Sequence, residues 1–366
     1  MKNATSTADA GSLSEMRLRP ETPKNSFWQA LFGDLFSTCL TFATLLFLWQ
    51  MLPFVQWGLL DAVWSTDNPN VCREAGACWA FIGAKLRFIL FGVYPPDEHW
   101  RPMTVIGILL VSVLCSLSPR MWGKALLMFW GFAIAAMLAL MWGGFAGLAF
   151  VSTSSWSGLP VTLLLALLSL GLGFPIAVLM ALGRRSRQPV SRLLSILTIE
   201  LVRGMPLVGM LFVASILLPI LLPPGWSIDK LGRTLAALTI FAAAYLAEVI
   251  RGGLQGVDAG QEEAGLALGI PHWRIVWNIV LPQAIEKVIP PLTNTAIVMV
   301  KNTSLVMIVG VFDMLNAGRS AATDPNWPGP YMETYLFVAA AYFLICFGIS
   351  RYAMWLEQGV RKKDYR

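Results

Sequence analysis

Residues Gly252–Pro282 read GGLQGVDAGQEEAGLALGIPHWRIVWNIVLP, a polar stretch set between two strongly apolar runs, Thr234–Ala247 and Val288–Val300. Gly260 and Gly269 bracket a short segment within it, and glycine serves there as a stop or swivel. Glu262 and Glu263 fall in the first turn of the helix this predicts, where negative charge suits the helix dipole. Ala264, Leu266, Ala267 and Leu268 make the helix small and apolar enough for close packing. A short amphipathic helix of this kind, held beside a membrane, is a handle that can dock in a groove on a soluble partner. The plainer alternative is an ordinary loop helix joining two spans.

The composition makes the membrane unavoidable. The chain is 56% hydrophobic and 13% charged, with a mean hydropathy of +0.64. A soluble chain carries about 25% charge. Apolar runs recur at Phe36–Leu60, Met103–Ser118, Ala125–Val151, Leu159–Leu182, Met205–Leu222, Thr234–Ala247, Val288–Val300 and Tyr335–Ser350. Most approach the ~20 residues that cross a bilayer as helix, so the expectation is an all-α membrane protein of about eight transmembrane helices. With both termini on the inside, the basic residues concentrate on inner turns, Arg184, Arg185, Arg187, Arg192, Arg203, Arg251, Arg274 and Lys287 among them. That bias follows the positive-inside rule. The net charge of +6 therefore reflects topology. It gives no support for nucleic acid, because the cations are scattered over span ends with no stacking platform between them.

Four regions follow. Residues 1–33 are Ser/Thr/Ala-rich at first and read as a disordered cytoplasmic tail, with no cleavable signal. Residues 34–151 form a three-span extension with a long outer loop over 61–101. Residues 156–357 hold five spans in one block, and 358–366 make a short cytoplasmic tail. Within the outer loop, Trp79–Gly92 carries Lys85 and Arg87 among apolar residues, which predicts an interfacial helix lying on the outer leaflet. Cys72 and Cys78 lie in the same loop. An oxidising compartment permits a bridge between them, and two free thiols are the alternative. Ser191–Gly204 has leucine and isoleucine at helical spacing and reads as an inner-surface helix leading into the fifth span.

The opening stretch also carries a family pattern. Glu263-Ala264-Gly265, three residues, Gly269, nine residues, then Ile279-x-Leu281-Pro282 resembles the cytoplasmic loop of ABC importer permeases, with Gly265 where that pattern has alanine. Tyr245-Leu-Ala-Glu-Val-Ile-Arg-Gly-Gly253, Glu200-Leu-Val-Arg-Gly-Met-Pro206 and Lys301-Asn-Thr-Ser-Leu305 resemble the polar-amino-acid subgroup. The five-span block resembles the core of type I importer permeases, the MetI-like fold, over roughly the C-terminal half of the chain. The extra N-terminal spans and long outer loop resemble the general L-amino-acid permeases of Gram-negative bacteria. The resemblance implies a non-catalytic subunit of the bacterial inner membrane, paired with a second homologous permease subunit about a pseudo-two-fold axis. It further implies a separate ABC ATPase dimer that binds the ATP, and a periplasmic amino-acid-binding protein. Gly260, Glu262, Glu263, Ala264, Gly265 and Gly269 would form the ATPase-coupling loop.

Polar groups at membrane depth form a second candidate set. A charge at the bilayer centre costs about 2.5–3.5 kcal/mol on insertion scales. Lys301 lies within an apolar run, with Asn302, Thr303 and Ser304 beside it. Glu200, Arg203, Tyr245, Glu248 and Arg251 collect near span ends. Either these residues shape or gate a path for a zwitterion, or they are ion pairs and a snorkelling lysine that hold helices together. No cofactor or metal is expected. Gly123-Lys124 is followed by alanine and lacks a Walker A context, and His99 and His272, the two histidines, fall on opposite sides of the membrane. An intramembrane enzyme is disfavoured on the same ground. An ion-coupled secondary amino-acid transporter is the alternative reading, and it would predict repeated halves and ion-binding helix breaks.

Overall fold

The computed structural model describes residues 27–118, 121–223 and 225–364. The expected tail over 1–26, the Pro119-Arg120 turn and the last two residues lie outside the described set. Contacts divide the chain into two units, Met1–Ala62 and Val63–Arg366.

In the first unit, Asp34 caps the helix Leu35–Val55 by accepting the Ser37 N–H at 2.6 Å. Pro53 lies inside the helix, which gives way to a π-turn over Gln56–Leu60. No residue of Leu35–Val55 is buried, the state of a helix that is apolar all round and faces lipid. The tail is not unstructured up to residue 33. Phe27–Phe32 is helical, because Trp28 stacks on Phe32 and Thr41 Oγ1 donates to the Leu31 carbonyl at 2.8 Å. The C-terminal tail likewise continues a helix, Tyr331–Asp364.

The second unit is built on two long helices, Gly158–Arg185 and Lys230–Gln255. Their contact face is made of small residues: Ala177, Ala181, Ala242, Ala244 and Ala247 are fully buried. At the crossing, a Cβ on Gly173 would stand 3.2 Å from the Ala243 nitrogen and from the Thr239 carbonyl oxygen. Apolar lipid supplies no drive for helix association, so such spans hold together by close backbone approach. Ile289–Asn302 packs against both of them, and Tyr331–Asp364 packs against Ile289–Asn302. Among the described residues, seven helices are long and apolar enough to cross a membrane. The bent pair Pro189–Gly204 and Leu207–Leu221, at 105°, makes up to eight. Pro206 ends the first of that pair, and Pro189–Gly204 leaves Leu193, Leu194, Leu197 and Leu201 exposed along one face. The helix is interrupted at Val288, just before Pro290 and Pro291. They sit in the first turn of Ile289–Asn302, where a missing N–H costs nothing.

The helix Trp79–Phe91 packs one face against the protein: Phe81, Ile82, Ile89 and Phe91 are buried, while Leu86 and Arg87 stay exposed. It packs against Met314–Ala322 and the start of Gly158–Arg185 as part of a cap over one end of the bundle. Of its two cations, Lys85 pairs with Asp324 at 2.5 Å, and that hydrogen bond holds the Asp324 carboxyl below its ordinary range. Cys72 and Cys78 are joined in a disulfide with Cα atoms 5.4 Å apart. The Cys78 N–H donates to Glu333 Oε1 at 2.8 Å, and Phe81 meets the Trp327 ring at 5.4 Å. Asp313 anchors the same end. It is fully buried, caps Met314–Ala322 through the Asn316 and Leu315 N–H groups at 3.0 and 3.2 Å, and accepts from the Tyr342 hydroxyl at 3.2 Å. Burial outweighs those donors and pushes its carboxyl up to about 6.

The disulfide closes a short loop, for which chain entropy gives about 2 kcal/mol. Cys72→Ser/Cys78→Ser is therefore expected to raise protease cleavage within Val63–Cys78 without changing the helical circular dichroism. The two sulfurs are bonded to each other, so a thiol reagent should label them only after reduction. Equal cleavage of the two proteins would show that Glu333 and the Phe81 contacts hold the cap unaided.

Candidate functional site

The loop helix runs Ala259–Ala267, and its start differs from the sequence expectation. Asp258 is the N-cap and accepts the Gly260 N–H at 2.7 Å. Gly260 thus lies inside the first turn and does not bound the helix, because a carboxylate caps better than glycine. Glu262 falls in the first turn and Glu263 just beyond it. The far end is a Schellman closure: the Ile270 N–H reaches the Gly265 carbonyl at 3.1 Å and the Gly269 N–H the Leu266 carbonyl at 2.9 Å. That closure needs a left-handed residue, and Gly269 supplies it at φ +73°.

Two faces of the helix do different things. Gly265 is buried, and a Cβ there would lie 2.8 Å from both Cγ1 and Cδ1 of Ile275. The glycine that stands in for the pattern's alanine is therefore matched to a fully buried isoleucine ten residues on. Glu262 turns inward as well, to His272 Nε2 at 2.9 Å and Arg185 Nη2 at 3.9 Å. Gln283 Nε2 donates to Gln261 Oε1 at 3.1 Å. Glu263, Ala264, Leu266 and Leu268 face away from the bundle, with Leu268 78% exposed.

The second candidate set separates into two places. Glu200, Arg203, Tyr245, Glu248 and Arg251 come together around Glu248. Arg251 grips Glu248 with two nitrogens, at 2.5 and 2.9 Å, and Arg203 Nη1 lies at 3.9 Å with its guanidinium over the Tyr245 ring. Arg184, absent from the sequence candidates, bridges Glu248 at 3.2 Å and Glu200 at 3.0 Å. Three helices are tied by this cluster: Gly158–Arg185, Pro189–Gly204 and Lys230–Gln255. Every member keeps some exposure, so the cluster can be rearranged without stranding a buried charge. Arg184 had shown itself only as one cation in a basic turn, and its carboxylate partners lie on other helices.

Lys301, Asn302, Thr303 and Ser304 lie apart from that cluster and do not act as a unit. The α-helix ends at Asn302 and tightens to a 3-10 turn over Thr303–Val309. Thr303 is buried and bonds the Val300 carbonyl at 2.7 Å, within 3.5 Å of the Tyr342 hydroxyl. Ser304 Oγ donates to the Lys301 carbonyl at 2.8 Å. The Lys301 side chain is exposed and forms no ion pair among the described residues. No group of three or more His, Cys, Asp or Glu able to hold a metal occurs among them either.

Comparison with known proteins bears on what this arrangement serves. Residues 173–362 match the family model of the binding-protein-dependent transport system inner membrane component. The chain is 40% identical over 337 residues to the Escherichia coli inner membrane amino-acid ABC transporter permease protein YhdY, covering 90% of each. It is 35% identical to the glutamate/glutamine/aspartate/asparagine transport system permease protein BztC of Rhodobacter capsulatus, covering 92% of this chain and 93% of that one. A solved amino acid ABC transporter aligns with 55% of this chain and 91% of its own at 32% identity, TM-score 0.48.

The Gly265–Ile275 contact gives a measurable expectation. Gly265→Ala should overpack and loosen the loop by about 1–3 kcal/mol, read as faster amide exchange over Asp258–Val276. Ile275→Ala opens a void of its own, but the double variant should be less disturbed than the two single effects added together. Additive loss would mean that the two side chains do not share that space.

Proposed function

The chain belongs to the binding-protein-dependent transport system inner membrane component family, and on that premise we propose that it is the membrane-spanning permease subunit of an amino-acid importer driven by a separate ABC ATPase. The observation that carries the reading is the loop helix Ala259–Ala267. It is capped at both ends, locked inward by Gly265 and Glu262, and left with an apolar and acidic face turned away from its own bundle. A helix held rigidly and exposed on one side transmits force to the helices that hold it, which is what a subunit without its own ATPase requires. The relatives named for amino-acid transport support the substrate class. The ion-coupled alternative has no comparable support.

In the full proposal, both termini face the cytoplasm, as the distribution of basic residues indicates. An ATPase dimer receives the loop helix, a homologous permease subunit completes the pathway, and a periplasmic binding protein delivers the amino acid on the cap side. The Glu248 cluster ties three helices at the loop end, and in this reading it is the inner gate. Its contacts are individually weak, since partly exposed ion pairs contribute about 0–1 kcal/mol each. They can therefore break and re-form as the bundle opens. Lys301 is read as facing the space shared with the second subunit. A lysine turned to lipid at mid-span would go uncompensated at a cost of about 2.5–3.5 kcal/mol, and no carboxylate of this chain offsets it among the described residues.

Gly269→Asp breaks the left-handed closure and adds charge, while Glu263→Ala removes an exposed carboxylate. The first should leave insertion and permease pairing intact but abolish ATPase retention on affinity-purified complexes. The second should weaken retention by about 1–3 kcal/mol, the scale of a charge-assisted hydrogen bond. Full retention and full substrate-stimulated hydrolysis in Gly269→Asp would sink the coupling reading.

Lys301→Met should cut uptake with little change in membrane insertion or thermal stability, as measured by radiolabelled amino-acid uptake in proteoliposomes. Unchanged uptake would leave Lys301 outside the pathway.

A further inference from the structure

Beside the loop helix lies a cleft of about 690 Å³, walled in part by Glu262 and Leu266 of that helix. Its floor is the last turn of Gly158–Arg185 with Arg185 and Leu182, and its rim is Arg187. Its opposite wall is Trp273 and Trp277 with Val280. We propose that this cleft binds the headgroup and upper acyl chains of an anionic phospholipid from the leaflet on the loop side.

Charge is the first argument. Arg185 and Arg187 face the cleft against one carboxylate, Glu262. The two arginines set against one carboxylate leave the lining a positive charge, which a phosphodiester matches. Arg185 is shared only loosely, at 3.9 Å from Glu262 and 3.3 Å from the Leu254 carbonyl. Arg187 has no ion pair or hydrogen bond among the described residues, and it is exposed. Its planar fork suits phosphate oxygens.

The walls argue for a lipid over a free anion. Trp273 and Trp277 stand one turn apart and remain 61% and 46% exposed. Both belong to the loop segment between the spans Lys230–Gln255 and Ile289–Val309, and their half-exposed indoles offer an apolar ring with a polar edge, the kind of surface that suits the boundary between headgroup and chain. Leu182 and Val280 continue the apolar surface behind them. The volume lies within the range of organic-ligand sites and far exceeds what an inorganic anion fills. Basic pockets between span ends on the cytoplasmic side are where anionic headgroups are held, so the leaflet assignment rests on the orientation proposed above. Because Glu262 and Trp273 belong to the loop segment and Arg185 to the long helix, an occupied cleft braces one against the other.

The test uses the full-length chain in nanodiscs of phosphatidylcholine with increasing phosphatidylglycerol, and native mass spectrometry to count retained lipid. The wild type should retain phosphatidylglycerol in preference to phosphatidylcholine. Arg187→Gln, which breaks no contact, should weaken that preference about fivefold, the scale of one cation at an anionic surface. Arg185→Gln/Arg187→Gln should abolish it, and Arg185→Lys/Arg187→Lys should restore most of it. Arg192→Gln, on a neighbouring helix outside the cleft, should leave it unchanged. Equal retention of the two lipids, or an equal loss in Arg192→Gln, would overturn the proposal. So would displacement by free glycerol phosphate, which would identify a simple anion site. Expulsion of the lipid on adding the purified ATPase would assign the cleft to that protein and equally overturn it. The lipid count needs no ATPase, so it can fail while the coupling reading stands, and the reverse.

Discussion

Everything in the larger unit depends on how closely the helices Gly158–Arg185 and Lys230–Gln255 approach one another. At Gly173 a methyl group would stand 3.2 Å from the backbone at Thr239 and Ala243, closer than most side chains approach, so the helices would have to give by a few tenths of an ångström to admit it. Alanine lines the seam above and below. In a solvent of lipid tails, burying a larger apolar side chain gains little over leaving it exposed, so attraction must come from many short contacts between nearly bare backbones. That seam fixes the relative height of the two helices. The height in turn sets both ends of the structure: at one end Gly158 donates its N–H to the Phe312 carbonyl, and at the other Arg184 comes within reach of Glu248.

The number of spans, the helix before Pro206 and the loop helix were all legible in the sequence, because each is a local property. Length and hydropathy define a span, a stripe of leucines defines an amphipathic helix, and the Schellman glycine marks a stop. What the sequence hid is pairwise. Gly265 departs from the family's pattern, and nothing along the chain says that Ile275 fills the space its side chain would take. Arg184 looked like one more inner-face cation until Glu200 and Glu248 arrived from other helices. Asp313 gave no signal beyond being an acid after an apolar run, yet it joins a helix cap to Tyr342.

The cap helix Trp79–Phe91 shows what the charge rule leaves out. Lysine and arginine among apolar residues describe an interfacial helix but not the partner a cation takes. For Lys85 that partner is Asp324, far away in sequence. Once Lys85 is paired, the remaining face is apolar enough to bury Phe81 and Ile89 against Met314–Ala322. The disulfide and Glu333 then hold the segment leading into the helix. The residues of the outer loop thereby become part of the same folded unit as the five-span block.

Two adjacent residues connect the parts that the proposed function needs to move together. Arg184 reaches Glu200 and Glu248, whereas Arg185 reaches Glu262 of the loop segment and the Leu254 carbonyl. They are consecutive on one helix end, so whatever displacement of the loop helix the Arg185–Glu262 contact carries is delivered to the turn that holds the Glu248 cluster. The loop side is stiff, because Ile275 on Gly265 and the Gly269 closure leave the helix little freedom to absorb a push internally. The cluster side is soft, being made of partly exposed ion pairs of modest individual strength. A stiff element joined through two neighbouring arginines to a soft one is a physical chain with a defined weak point. Motion applied at the loop is therefore expected to be expressed where Glu248 exchanges arginines, and the alanine seam, having no slack, turns as a body.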